Sequence, residues 1–178
     1  MILRILIVNP PHPSIGSRIP DDLLPPLGLF SIGGPLIDDG HQVSLFDGEF
    51  GPASDNEIQA HIKSISPDIL LLGHSGSTSA HPIAAKIAHA AKTDNPHLIV
   101  IYGGVFATYH WRDILSDELY FDYIVRGEGE ETCRALIDAI TKPSSLYLVQ
   151  GIAFRHQGKV VSTSPRPITQ DVDQFRIG

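Results

Sequence analysis

Two stretches of the chain carry residue types that could hold a ligand. Tyr123-Ile-Val-Arg-Gly-Glu-Gly-Glu-Glu131 and Ile99-Val-Ile-Tyr-Gly-Gly-Val-Phe-Ala107 each run from an apolar segment straight into glycines. Glycine lacks Cβ, so its backbone can approach a flat or bulky ligand closely and adopt positive φ. Two further segments, Asn9–Pro13 and Gly73-His-Ser-Gly-Ser-Thr-Ser79, also follow apolar runs, and the second is rich in small hydroxyls that bond without filling space. Such loops together describe a roomy slot with polar edges. Each also has an ordinary reading, since Gly-Gly after a strand makes a tight turn and a hydroxyl-rich loop caps the next helix. Their convergence at one sheet edge is what favours a ligand.

Charge narrows the ligand. Glu128, Glu130 and Glu131 crowd the start of the helix that follows Gly129. Carboxylates there complement the helix dipole, and they also repel a phosphate placed at that terminus. Gly127-x-Gly129 does not complete a dinucleotide fingerprint, because Thr132 follows, and no Walker lysine stands after any glycine loop. The net charge is −7 with no lysine or arginine cluster, which argues against nucleic acid or an anionic membrane surface as partner. The single cysteine, Cys133, excludes an internal disulfide framework and is too few for a [4Fe–4S] cluster. It reads as a small core residue inside the last helix. Of nine histidines, His12 and His74 lie in loops of the proposed edge and could reach a ligand. His61, His89 and His110 read as helix-surface residues and His97 as the start of a strand; none forms a His-x-x-x-His metal spacing. Trp111 reads as core.

The elements that must position these loops are legible from periodicity. Ile2–Val8, Val43–Phe46, Ile69–Leu72, Leu98–Ile101 and Tyr123–Val125 read as strands; Leu27–Ile37, Glu57–Ile65, Pro82–Ala91, a short piece near Trp111–Leu115, and Glu130–Ile140 carry helical spacing. Alternation of this kind implies βαβ units and a parallel sheet. The prediction is an α/β, flavodoxin-like, doubly wound five-stranded sheet of order 2-1-3-4-5, whose carboxyl edge gathers the four loops. Asp38-Asp-Gly40, Ser66-Pro67 and Asn95-Pro96 punctuate it. Ile152–Arg155 and Lys159–Ser162 around His156-Gln-Gly158 predict a β-hairpin. The expected organisation is a ligand-binding domain over 1–142, a hairpin appendage over 143–163, and a linker over 164–178 leading to a domain that this chain lacks. No apolar run reaches the ~20 residues of a membrane span, and the opening Met1–Val8 reads as a buried strand rather than a signal peptide. A cytoplasmic protein is expected.

The ordered set Pro25-Pro-Leu-Gly-Leu29, Asp47-Gly48, Ser66-Pro-Asp-Ile69, Gly103-Gly104 and Arg126-Gly-Glu-Gly-Glu130 resembles the N-terminal cobalamin-binding domain of class B radical S-adenosylmethionine enzymes. That family includes cobalamin-dependent methyltransferases and anaerobic magnesium-protoporphyrin IX monomethyl ester oxidative cyclases. The likeness covers roughly residues 1 to 175, and Arg166-Pro-Ile168 with Asp173-Gln-Phe175 is similar to the connector into the radical domain. The resemblance implies a corrin across the carboxyl edge, with its nucleotide tail beside the strands. Ser75, Gly76, Ser77 and Thr78 would then meet the tail, and Gly103, Gly104, Val105, Phe106, Ala107 and Thr108 would line its slot. Gly127, Glu128 and Gly129 would close the far side, with Asn9 and Pro10 near the ring. The resemblance further implies a radical domain in cis as partner, with the [4Fe–4S] cluster and S-adenosylmethionine belonging to that parent only.

Two departures from family patterns matter. The chain has no CxxxCxxC motif, so it carries no radical catalysis by itself. The Asp-x-His-x-x-Gly motif, by which one group of cobalamin proteins supplies a histidine to cobalt, is also missing: the first loop reads Asn9-Pro-Pro-His12, and Asp39-Gly-His41 precedes strand two at the opposite edge. Cobalt without a protein histidine ligand is therefore expected. A signalling module such as a receiver domain would want acidic residues after strand one and an aspartate after strand three, where Asn9-Pro10 and Gly73-His74 stand. A flavin- or nucleotide-binding enzyme at the same edge would need an acid–base constellation, and none is visible.

Overall fold

A run such as Ile69-Leu-Leu-Leu72 offers no polar side to water, so both its faces must be covered. The computed structural model, which describes residues 1–11, 25–49, 53–74, 78–141, 146–171 and 175–177, meets that demand with a sheet between two helical layers. In chain order the elements are β1 (Arg4–Asn9), α1 (Leu27–Asp38), β2 (Gln42–Asp47), α2 (Asp55–Ile65), β3 (Ile69–Leu72), α3 (His81–Asp94), β4 (Ile99–Tyr102), α4 (Val105–Asp117), β5 (Tyr123–Val125), α5 (Glu130–Thr141), β6 (Ile152–His156) and β7 (Lys159–Ser162). The strand order is β2-β1-β3-β4-β5-β6-β7. The first five are parallel, in the predicted 2-1-3-4-5 order.

Side chains alternate across the strands. Leu6, Val8, Leu70, Leu72, Val100, Tyr102 and Ile124 pack toward α2, α3 and α4. Ile5, Ile7, Ile69, Leu71, Ile101 and Val125 pack toward α1 and α5. Local chemistry starts and stops the helices. Ser54 and Glu57 form a capping box at α2, with Ser54 N–H donating to Glu57 Oε2 at 2.8 Å. Proline enters α3 in its first turn, where a missing N–H costs nothing.

The sheet has seven strands rather than the five predicted, because the hairpin joins it. β6 pairs antiparallel with β5 (Tyr123↔Phe154, Val125↔Ile152), and β7 pairs with β6. A β5 of 3 residues would otherwise present an open edge, which the hairpin covers. Arg155 fastens it: its guanidinium donates to the carbonyls of Leu115 (2.8 Å), Leu119 (3.1 Å) and Phe121. The turn at Gln157 and Gly158 has φ of 49° and 76°, the signature of a tight hairpin connection. A second difference is that α4 begins at Val105, well before the predicted Trp111, so Val105 to Thr108 form its first turn rather than a loop. Among the described residues no helix is long and apolar enough to cross a membrane.

Leu36, fully buried on α1 beneath the sheet, tests this packing. Leu36→Ala is expected to cost about 2–5 kcal/mol, seen as a lower denaturation midpoint at unchanged slope.

Candidate functional site at the carboxyl edge

The chain leaves β1 toward β2 and leaves β3 toward β4, so neighbouring strands part company at the carboxyl edge. Open α/β sheets hold their ligands at such a switch point. A cleft of about 580 Å³ lies there, between the sheet and the N-terminal ends of α1 and α5. Its floor is a row of apolar side chains, Ile7, Leu71 and Ile101, which sit side by side in register, continued by Val125. Leu29 and Ile32 of α1 and Cys133 of α5 form the walls. Polar residues stand at the rim: Asn9, Glu49, His74, Glu128 and Glu130. Three of these are carboxylates, and no lysine or arginine is among the described lining residues.

The two glycine corners are built as one unit. Gly104 has φ of +100°, and a Cβ on it would stand 2.5 Å from the His74 carbonyl oxygen. Gly127 has φ of +77°, and its N–H donates to the Thr108 hydroxyl at 2.9 Å. That hydroxyl in turn donates to the Gly104 carbonyl at 2.9 Å. Thr108 thus bridges both corners from the first turn of α4. Behind them, a Cβ on Gly129 would stand 2.9 Å from Ile32 Cδ1, so this glycine lets α1 and α5 approach and close the back of the cleft.

Rim groups are held by neighbours. Asn9, 5 % exposed, donates from Nδ2 to Asp47 Oδ1 at 2.8 Å, and the same oxygen accepts the Glu49 N–H at 3.1 Å. His74, also 5 % exposed, shares a 3.2 Å hydrogen bond between Nε2 and the Tyr102 hydroxyl. Burial, with a smaller effect of Glu118, pushes the Tyr102 phenol pKa up, so it stays a hydroxyl and anchors the imidazole at the rim. Burial, aided by Glu130, pushes the Cys133 thiol up to about 12, which makes it an apolar part of the wall. Among the described residues no group of three or more His, Cys, Asp or Glu side chains is placed to hold a metal ion.

Of the residues singled out from sequence, Asn9, Gly103, Gly104, Gly127, Glu128 and Gly129 line the cleft together. Pro10 is buried beside it, Thr78 is exposed in a short 3-10 turn, and Val105, Phe106, Ala107 and Thr108 belong to α4 outside the lining. Ser75, Gly76, Ser77 and His12 lie outside the described residues. Sequence reasoning did not single out the apolar floor or the α1 wall. Pro25-Pro-Leu-Gly-Leu29 was the available signal: a proline pair opening a helix beside a sheet edge.

Comparison with known proteins bears on what fills the cleft. The family model described as B12 binding domain matches residues 20–137. An anaerobic magnesium-protoporphyrin IX monomethyl ester cyclase of Synechocystis sp. is 54% identical over 176 residues, covering 99% of this chain and 35% of that protein. An uncharacterized methyltransferase of Pyrococcus horikoshii is 34% identical, covering 99% and 38%. The chain therefore spans about a third of the length of these relatives. In fold it is similar to the cobalamin-dependent S-adenosylmethionine radical enzyme OxsB with aqua-cobalamin and S-adenosylmethionine bound (TM-score 0.76, 22% identity, 94% of this chain and 23% of that one). It is also similar to the radical S-adenosylmethionine methyltransferase TsrM of Kitasatospora setae with cobalamin and [4Fe-4S] cluster bound (TM-score 0.73, 17% identity, 99% and 31%).

Two outcomes follow from the geometry. Thr108→Val deletes the bridge while keeping the shape, and should cost about 1 kcal/mol by thermal denaturation, the net worth of a typical hydrogen bond. Cys133 should resist a thiol reagent at about pH 8 in the native protein and react on unfolding. With the folded pKa raised to about 12, native protein holds a proton that the unfolded chain sheds from the thiol's ordinary value of 9.0 upward. Stability should accordingly fall as pH rises through that window, and Cys133→Ala should lessen the fall.

Proposed function

This chain belongs to the B12 binding domain family, and from that premise we propose that its carboxyl-edge cleft holds cobalamin beside a radical S-adenosylmethionine domain. The observation that carries the reading is the division of the cleft into an apolar floor and a carboxylate rim. Cobalamin is built in a matching way, with a flat apolar benzimidazole base and a corrin periphery of primary amides. Amide N–H groups donate to carboxylates such as Glu49, Glu128 and Glu130, and an apolar base suits Ile7, Leu71, Ile101 and Val125. The volume is that of a site for part of the cofactor, so the corrin would lie over the edge itself.

Gly103, Gly104, Gly127 and Gly129 let the backbone approach the ligand, while Asn9 and His74 supply polar contacts at the mouth. By family resemblance Ser75, Gly76, Ser77 and Thr78 contact the tail, and Pro10 lies near the ring. Val105 to Thr108 act through the corner that Thr108 braces. When bound, cobalamin supplies a cobalt able to carry a methyl group or an electron; this chain supplies position and exclusion of water. It forms the binding unit of domain 1–142 with its hairpin, and 164–178 leads toward the catalytic partner in cis.

That partner is inferred from coverage, since the relatives extend far beyond the matched third. The 54% identity to the Synechocystis protein favours oxidative cyclisation over methyl transfer for the whole protein. A cytoplasmic setting suits its one buried, unpaired cysteine.

Mixing the purified chain with hydroxocobalamin and desalting should leave about one corrin per chain by visible absorbance, as one formed pocket implies. Gly28→Trp, which fills the slot from the first turn of α1, where an added side chain meets nothing within 4 Å, should abolish retention with the circular dichroism unchanged. Folded wild-type protein that retains no corrin overturns the reading.

A further inference from the structure

Segment 163–171 has the composition of a linker, with prolines at Pro165 and Pro167. It is nonetheless tied down: Thr163 bonds to Ile152 of β6, with the Ile152 N–H donating to its hydroxyl at 3.1 Å, and further ties run to the corner that walls the cleft. The Thr163 carbonyl accepts from Arg126 Nη1 at 3.2 Å. The Ser164 carbonyl accepts the Gly151 N–H at 2.8 Å, and the Gly151 carbonyl accepts the Arg126 N–H at 2.8 Å. Arg166 Nε donates to Thr132 Oγ1 at 2.9 Å, and Thr132 has no exposed surface. The Thr169 N–H donates to Glu128 Oε2 at 2.7 Å. Arg126 precedes Gly127, Glu128 stands between the two cleft glycines, and Thr132 is followed by Cys133 of the cleft wall.

We propose that segment 163–171 is a strap that holds the Gly127–Gly129 corner in its ligand-ready shape, with Glu128 as the positioning residue between strap and cleft. The inference rests on the cobalamin reading of that cleft. A corner of two glycines has much backbone freedom to lose when a ligand orders it. Fastening Arg126, Glu128 and Thr132 from outside removes that freedom beforehand. The strap is cheap to order, because its prolines already fix φ. Glu128 therefore spends one carboxylate oxygen on the strap rather than on the ligand. Linkage makes the effect reciprocal: what favours the docked strap favours an occupied cleft, and an occupied cleft favours the docked strap.

Two variants remove strap contacts without touching the lining. Thr169→Pro deletes the N–H that Glu128 accepts, and Arg166→Met deletes the donor to Thr132 while keeping the aliphatic stem. Each should weaken hydroxocobalamin binding about fivefold or more, the usual range of a coupling between sites, with Arg166→Lys restoring part of the loss. Hydrogen exchange at the Thr169 amide should slow when hydroxocobalamin is added to the wild-type chain. In the double variant Glu128→Ala/Thr169→Pro the losses should not add, since both remove the same bond. Wild-type affinity in the Thr169 and Arg166 variants, or Thr169 exchange indifferent to the corrin, overturns the strap and leaves the cobalamin reading standing. Wild-type protein that binds no hydroxocobalamin overturns both.

Discussion

Ile7, Leu71 and Ile101 stand abreast on three neighbouring strands and have no polar group to offer water. They must be covered, and much of the molecule follows from how that covering is done and where it stops. α1 and α5 lie over this face, brought together where Gly129 admits Ile32. Their N-terminal ends leave the carboxyl edge open, so the row that closes the core at one end becomes the floor of a cleft at the other. On the opposite face α2, α3 and α4 bury Tyr102 and its neighbours. The site is thus an incomplete stretch of hydrophobic core rather than a separate structure set into it.

The polar groups around that opening are arranged so that few are adrift. Asp47 binds Asn9 and the Glu49 backbone, Tyr102 holds His74, and Thr108 joins the two glycine corners. Such prior engagement lowers the reorganisation that a ligand would impose, the general basis of preorganised binding. It also separates residues that shape the site from residues that face into it. Thr108 belongs to the first group although it stands in the same short stretch as Gly103 and Gly104, which belong to the second.

The parallel core was readable because its signals are local: apolar runs of strand length, helical spacing between them, and Gly or Pro at the breaks. The 2-1-3-4-5 order is the one that a flavodoxin-like, doubly wound sheet of five strands and five helices takes. Pairing of β6 with β5 was not readable, since it depends on an edge being open and on Arg155 reaching carbonyls 34 to 40 residues away in sequence. The early start of α4 was hidden because Gly-Gly-Val-Phe-Ala-Thr satisfies a loop as well as a first helical turn; the φ of Gly104 decides between them. Glycine corners gave away one side of the site. The floor did not stand out because Ile7, Leu71, Ile101 and Val125 look in sequence like any buried strand residues, and only the retreat of the helices makes them a surface.

Cys133 shows what such a half-open core can tolerate. A thiolate in the wall would be a nucleophile and a soft ligand facing whatever the cleft contains. Deep burial suppresses that form, so the sulfur contributes bulk and polarisability without reactivity. Such a wall is poorly nucleophilic: it can face an electrophile or a soft cation without bonding to it.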